Sequence, residues 1–342
     1  EGEETLREIL QGVPFKDIKG IIYRDDDGEI VRNAPRDLIE NLDALPMPEY
    51  SVFALENYVT SQITSRANPV GPIETTRGCP YNCTYCNKNI FGHELRKKSI
   101  DRIMKEIRHL LDSGFKEIHL VDDTFTTDIK RAKEICRRII DEGIKFHWSL
   151  LVGVRVDCVD EEFFKLARAS GCYLVSLGLE SGSPNILRNI KKGSKVTLSR
   201  GRQAVKWAHD AGIETVGFFM FALPGETEQT MQDTINYALS LDLDYARVSL
   251  TIPLPSTNLF EYYHNHNKIL TYDWSRYNFH SNHRVFEHEN LQWHIIEKFS
   301  RRFYRSFYFR PKIILRHLKF ALKRGMILTY FKYFLISFFG AK

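Results

Sequence analysis

Cysteine is scarce, with six in 342 residues, which excludes a small scaffold held together by disulfides. No stretch reaches the roughly 20 apolar residues that a spanning helix needs. The longest candidate, GMILTYFKYFLISFFG, is broken by Lys332 and reads as an amphipathic or buried helix with interfacial membrane contact open to it. There is no short-period repeat and no low-complexity tract, so fibrous and solenoid architectures are excluded. The opening EGEETLREIL is acidic and helical in pattern, unlike a secretory leader. It has no initiator Met, and we expect a chain that starts inside a longer, cytoplasmic protein. Acidic residues are absent from Ser300 to Lys342, where eleven Lys and Arg stand. The whole chain carries +5, so the remainder is acidic at −6. That basic end is rich in Phe and Tyr, which suits a surface meeting an anion, a membrane face or another domain. A terminal helix packed on the body with its cations in water fits the same pattern.

What is present is globular: 43% apolar and 27% charged residues, in a length that allows one large α/β domain or a barrel with additions. Three regions emerge. Residues 1–69 hold a short helix, a hairpin turning at Asp27-Gly28 and a Pro-bearing connector. The segment is too small for a large core and reads as a linker, the end of an upstream domain. Residues 70–255 alternate strands (IETTR, EIHLVDD, KFHWSLLVGV, CYLVSLGLE, ETVGFFMFALPG, YARVSLTIPLP) with five helical stretches. This alternation predicts successive βαβ units, a partial (β/α)6 TIM-like barrel of parallel strands. Catalytic groups then belong at the C-terminal strand ends. Residues 256–342 begin loop-like and turn helical from about Leu291, a basic, aromatic C-terminal extension.

The strongest local signal is TTRGCPYNCTYCNK, which sets Cys79, Cys83 and Cys86 at C-x3-C-x2-C after the first strand. Cys136 and Cys172 read as core residues; Cys158 has no assigned role. A disulfide leaves one of the three thiols over. Zinc needs a fourth ligand such as His93 and more usually paired knuckles. A four-iron cube held by three thiolates fits better, because it leaves one iron open to a chelating ligand.

With Tyr85 before its last cysteine, this motif resembles that of the radical S-adenosylmethionine superfamily, C-x3-C-x-aromatic-C. The resemblance covers about residues 70–255. The stretches TTRGCPYNCTYC, VDDTF, GLESGS, FMFALPGETEQT and TIPLPST look like the branch with an upstream cobalamin-binding domain. The cobalamin signature D-x-H-x-x-G is absent from the chain; either that domain lies upstream or the protein lacks it. The resemblance implies a [4Fe-4S] cluster on Cys79, Cys83 and Cys86, and S-adenosylmethionine cleaved to a 5′-deoxyadenosyl radical that takes hydrogen from a substrate. Cobalamin would turn this to methyl transfer or oxidative cyclisation. It further implies that Glu180 meets the ribose hydroxyls, that Asp123 (with Asp122) lies near the cofactor amino group, and that Arg155 faces its carboxylate. The adenine is expected against Tyr85, Leu223 and Pro224. VDDTF stands where the family usually has Gly-Gly-Glu. The tail FSRRFYRSFYFRPKIILRHL resembles those of anaerobic magnesium-protoporphyrin monomethyl ester cyclases and hopanoid-modifying relatives, which suits a lipid- or tetrapyrrole-like substrate. A flavodoxin or ferredoxin is the implied electron donor. The alternative is a non-catalytic zinc- or cluster-bearing module binding nucleic acid through the basic end. No zinc-finger spacing, helix-turn-helix or RNP motif supports it.

Overall fold

The structure is a computed structural model that describes residues 1–61, 64–191, 194–278 and 283–332. In chain order the elements are α1 (Glu3–Leu10), the hairpin β1 (Ile22–Arg24) and β2 (Ile30–Arg32), then β3 (Val70–Ile73), β4 (Thr76–Arg77) and β5 (Arg96–Lys97). The alternating section follows with α2 (Ile100–Asp112), β6 (Glu117–Leu120), α3 (Ile129–Asp141), β7 (His147–Arg155), α4 (Glu161–Ala169) and β8 (Cys172–Glu180). It continues through α5 (Pro184–Ile190), α6 (Leu198–Asp210), β9 (Glu214–Phe221), α7 (Glu228–Ser240) and β10 (Tyr245–Leu250). The chain then forms α8 (Asn258–Asn265), α9 (Trp293–Tyr308) and α10 (Pro311–Lys323).

Six strands form one parallel sheet in the order β10-β9-β8-β7-β6-β3, the partial barrel that the alternation predicts. The hairpin pairs Ile22–Arg24 with Ile30–Arg32. The central strand β8, CYLVSLGLE, is buried along almost its whole length, which is why it reads as a continuous apolar run and not an alternating one. Its neighbour β9 follows the same rule, and the crossover helices bury their apolar stripes against the outside of the sheet. Five of those helices start with a side chain that accepts an N–H of the first turn: Ser99, Asp128, Asp160, Thr197 and Thr227. Such caps stop each helix at a defined residue, typically worth about 1 kcal/mol.

Three elements differ from expectation. The first strand is Val70–Ile73, earlier than IETTR; Pro72 is tolerated there because β3 is an edge strand. Thr76–Arg77 instead pairs antiparallel with Arg96–Lys97, closing the base of the cysteine loop. In the loop-like stretch after residue 256, Thr257 caps α8 and burial of Leu259, Phe260 and Tyr263 overrides weak local propensity. The stretch GMILTYFKYFLISFFG lies mostly outside the described residues. No helix among the described residues is long and apolar enough to cross a membrane.

The C-terminal helices close one side of the barrel. α9 runs antiparallel to β10 and satisfies its free edge. The Tyr308 hydroxyl accepts from the Ala246 N–H (3.1 Å) and donates to the Ala246 carbonyl (2.9 Å). Tyr304 does the same at Val248 (3.2 and 3.0 Å). α10 then lies at the N-terminal ends of the strands, where Arg316 binds Asp242 and Asp244. Glu214, at the start of β9, is clamped at 2.7 Å by both Arg66 from the connector and Arg324. The second half of the tail, α10, therefore sits at the pole opposite the cysteine loop, while α9 spans the height of the barrel and packs Phe303 on Phe221 at the end of β9.

Candidate functional site

The cysteine loop occupies the other pole, at the C-terminal strand ends. Gly78 turns the chain into it with φ +86°, and a Cβ there would overlap the Glu94 carbonyl oxygen. The loop is pinned from three directions. The Thr84 N–H donates to the Ile190 carbonyl (3.0 Å) and the Leu259 N–H to the Thr84 carbonyl (3.0 Å). The Asn87 amide donates to the Pro255 carbonyl (2.9 Å). Cys83 and Lys191 also form an isolated antiparallel bridge. These contacts hold Cys79, Cys83 and Cys86 as free thiols that are partly or fully exposed, whereas Cys136 and Cys172 are buried in the core.

The three thiols feel one another electrostatically. Burial, and then the neighbouring Cys83, push Cys86 up to about 11. Burial also raises Cys79, against the opposing pull of Lys88. The Lys88 Nζ is buried with no hydrogen-bond partner, and Cys79, Cys86 and Asp123 all sense its charge. An ammonium in that state calls for an anion, and a cube carried by three thiolates is one. Among the described residues no three His, Cys, Asp or Glu converge on a single ion; a cube asks for one thiolate per iron at separate corners. The donor set therefore fits a [4Fe-4S] cluster.

Around this loop the remaining expected residues fall into place unequally. Arg155, at the end of β7, is only 8% exposed. Its guanidinium makes two hydrogen bonds to Asp157 (3.1 and 2.9 Å) and reaches the Cys83 Sγ at 3.7 Å. It also stacks over Tyr81 at 3.6 Å. Burial opposes its charge, but Asp157 more than compensates and raises its pKa. Arg155 is thus committed to the cysteine loop. Glu180, at the end of β8, adopts φ +60° and forms a buried pair with Lys191 at 3.0 Å. Burial and the adjacent Glu180 carboxylate hold the Tyr85 phenol well above its usual range. The Tyr85 ring packs on Ile186, Ile190, Met220 and Leu223, an apolar patch between the cluster loop and β9.

Asp123 lies beside Cys79 and Cys86; burial raises its carboxyl, while the Gly78 N–H and Lys88 pull it back. Asp122 is structural: its carboxylate accepts from the Thr75 N–H and from the Thr75 and Thr76 hydroxyls. Leu223 offers an apolar side chain, but its N–H is committed to Glu226 (3.0 Å) and its carbonyl accepts from His288 (2.9 Å). Pro224 is partly exposed beside it. His93 is exposed on the loop. The sequence reading missed Lys191, Lys88 and Tyr81. Nothing in the local sequence separates these two lysines from the other cations; only the fold buries them. Tyr81 stands between two of the cysteines, and that position was the available signal.

Comparison with known proteins agrees. The sequence pattern of the radical SAM superfamily matches residues 73–238. An uncharacterized methyltransferase of Pyrococcus horikoshii is 35% identical, over 97% of this chain and 72% of that protein. The anaerobic magnesium-protoporphyrin IX monomethyl ester cyclase of Cereibacter sphaeroides is 27% identical over 82% of this chain and 46% of its own. Among solved structures, a radical S-adenosylmethionine methyltransferase from Kitasatospora setae, with cobalamin and a [4Fe-4S] cluster bound, has the same fold. It superposes with a TM-score of 0.61 at 22% identity, covering 77% of this chain and 52% of that one. The chain thus spans 72% of the first of these proteins and about half of the other two. With the parallel βα barrel and the three-thiol loop at its C-terminal pole, the chain belongs to the radical SAM superfamily.

Proposed function

We propose that the protein transfers a methyl group to a small organic substrate by radical S-adenosylmethionine chemistry, with cobalamin supplied by a domain outside this chain. The observation that carries the proposal is a convergence at one pole. Three thiols and the unpartnered Lys88 ammonium sit beside the buried Glu180–Lys191 pair and an apolar patch under Tyr85. The methyltransferase names of two of the relatives above favour methyl transfer over cyclisation.

When bound, the cluster and S-adenosylmethionine supply reductive cleavage of the sulfonium. The chain's own residues do the rest. Cys79, Cys83 and Cys86 hold three irons as thiolates, and Lys88 and Arg155 offset the negative charge that accumulates on them. Glu180 accepts the ribose hydroxyls, held in place by Lys191. Tyr85, Ile186 and Leu223 exclude water beside the purine. A ferredoxin- or flavodoxin-class protein delivers the electron, and the substrate is a small molecule of the tetrapyrrole or aromatic kind.

The test is anaerobic reconstitution followed by incubation with reductant, S-adenosylmethionine and cobalamin. We expect about four irons per chain and formation of S-adenosylhomocysteine with 5′-deoxyadenosine. Fully iron-loaded protein that releases neither product would overturn the reading. Release of 5′-deoxyadenosine alone would favour hydrogen abstraction without methyl transfer, as a cyclase requires.

A further inference from the structure

We propose that α10 and the turn after it dock on an anionic membrane surface, with the helix lying in the headgroup layer at the barrel pole remote from the cysteine loop. The inference rests on how α10 divides its surface, and it is independent of the reaction assigned above.

At 100° per residue the helix carries three strips. One is buried against the barrel base: Ile313 and Ala321 are each 2% exposed. His317, on the same strip, donates to the Asp244 carbonyl at 2.9 Å and packs on Tyr245 at 4.9 Å. The second strip faces outward and is apolar. Ile314, Leu315, Leu318 and Leu322 are 43, 57, 47 and 58% exposed. Past Gly325, Leu328 and Phe331 add 84 and 58% exposure at the same end. The third strip, beside the apolar one, is lysine: Lys312, Lys319 and Lys323.

Burial on the body explains the first strip but leaves the second facing water. Scattered exposed apolar residues are ordinary; a contiguous strip edged by cations on a surface helix is not. The charge decides the occupant. No Asp or Glu occurs from Ser300 onward. The nearby acids are already engaged: Asp242 by Lys312 and Arg316, Asp244 by Arg316, and Glu214 by Arg66 and Arg324. Lys319 and Lys323 carry no ion pair among the described residues. A protein partner with an ordinary mixed surface would leave these cations unmatched, whereas an anionic leaflet matches them along the whole helix. α10 is too short to span a bilayer, so it lies along the surface. Beyond Lys332 the sequence continues as YFLISFFGAK, again without an acid.

This placement orients the enzyme. The lipid-facing helix is fixed to the N-terminal strand ends and the cysteine loop to the C-terminal ends, so the reactive pole points away from the bilayer.

The test is co-sedimentation of the full chain with vesicles of phosphatidylcholine alone or with about one third phosphatidylglycerol, at low and high salt. Binding to the anionic vesicles only, weakened by salt, is the expected result. K319Q/K323Q should weaken it about 25-fold, at about fivefold per lysine. L318S/L322S, which touches only the outward strip, should abolish it while circular dichroism and elution volume stay unchanged. Absence of binding to either vesicle would overturn the proposal. So would binding that survives L318S/L322S, because attraction would then be charge alone. A concentration-dependent dimer that L318S/L322S dissolves, without vesicle binding, would overturn it in favour of a second copy of the chain.

Discussion

Replacing Tyr308 with Phe removes one oxygen atom and two hydrogen bonds from the free edge of β10. Ala246 is 0% exposed, so water cannot take over its N–H and carbonyl when the hydroxyl is gone. Leaving buried polar groups unpaired costs about 1–3 kcal/mol each, and two together should cost about 2–4 kcal/mol. Tyr304 makes the same pair of bonds to Val248, itself only 7% exposed, so Y304F should cost a similar amount. With an m-value of about 3 kcal/mol/M for a chain of this size, Y308F should lower the urea midpoint by about 1 M. The Ala246 amide should lose hydrogen-exchange protection. Alkali offers a second readout. Burial pushes the Tyr308 phenol up to about 12, so the fold favours its neutral form. The stabilisation from that group is complete below the ordinary tyrosine pKa of about 10 and is lost as pH rises towards 12. Y308F should lack this decline. A Y308F midpoint equal to that of the parent would refute the account of the edge.

Four further outcomes are open to measurement. Burial pushes Glu226 up to about 8, so its contribution is full below about pH 4.5 and fades as pH rises through 8; E226Q should flatten the fall in urea midpoint between pH 6 and 9. Glu180→Gln should weaken S-adenosylmethionine binding about 10- to 100-fold by calorimetry with iron content unchanged; equal binding would remove Glu180 from the ribose. Cys83→Ala should lose the cluster absorbance while the apo protein keeps its far-ultraviolet circular dichroism, since Cys83 lies outside the core; retained absorbance would move the ligand set. Glu214→Gln unpairs Arg66 and Arg324, and should cost about 2–4 kcal/mol with early proteolysis after Lys319 or Lys323; parent-like proteolysis would show that the clamp does not hold α10.

The barrel was legible because periodicity is a local property: β8 and β9 are apolar runs, and α2, α3, α4 and α6 each announce themselves with a cap and a Gly just past the end. The three cysteines were legible because their spacing is local too. What the sequence hid was everything created by distant approach. Lys191 is one more lysine in NIKKG until Glu180 is folded onto it. Arg155 looks like a free cation until Asp157, Tyr81 and Cys83 surround it. The composition of the aromatic, basic tail did not say where it lies, whereas the direction of α9 along β10 carries α10 to the pole remote from the cysteines. The first strand was misplaced because Pro72 argues against a strand, and only its position at the sheet edge makes that proline harmless.

The bridge between Cys83 and Lys191 joins the sulfur-bearing loop by its backbone to the end of α5, whose lysine pairs with Glu180. Displacing that loop therefore displaces Lys191 with it, so the carboxylate at the end of β8 feels the loop's position through its own ion pair.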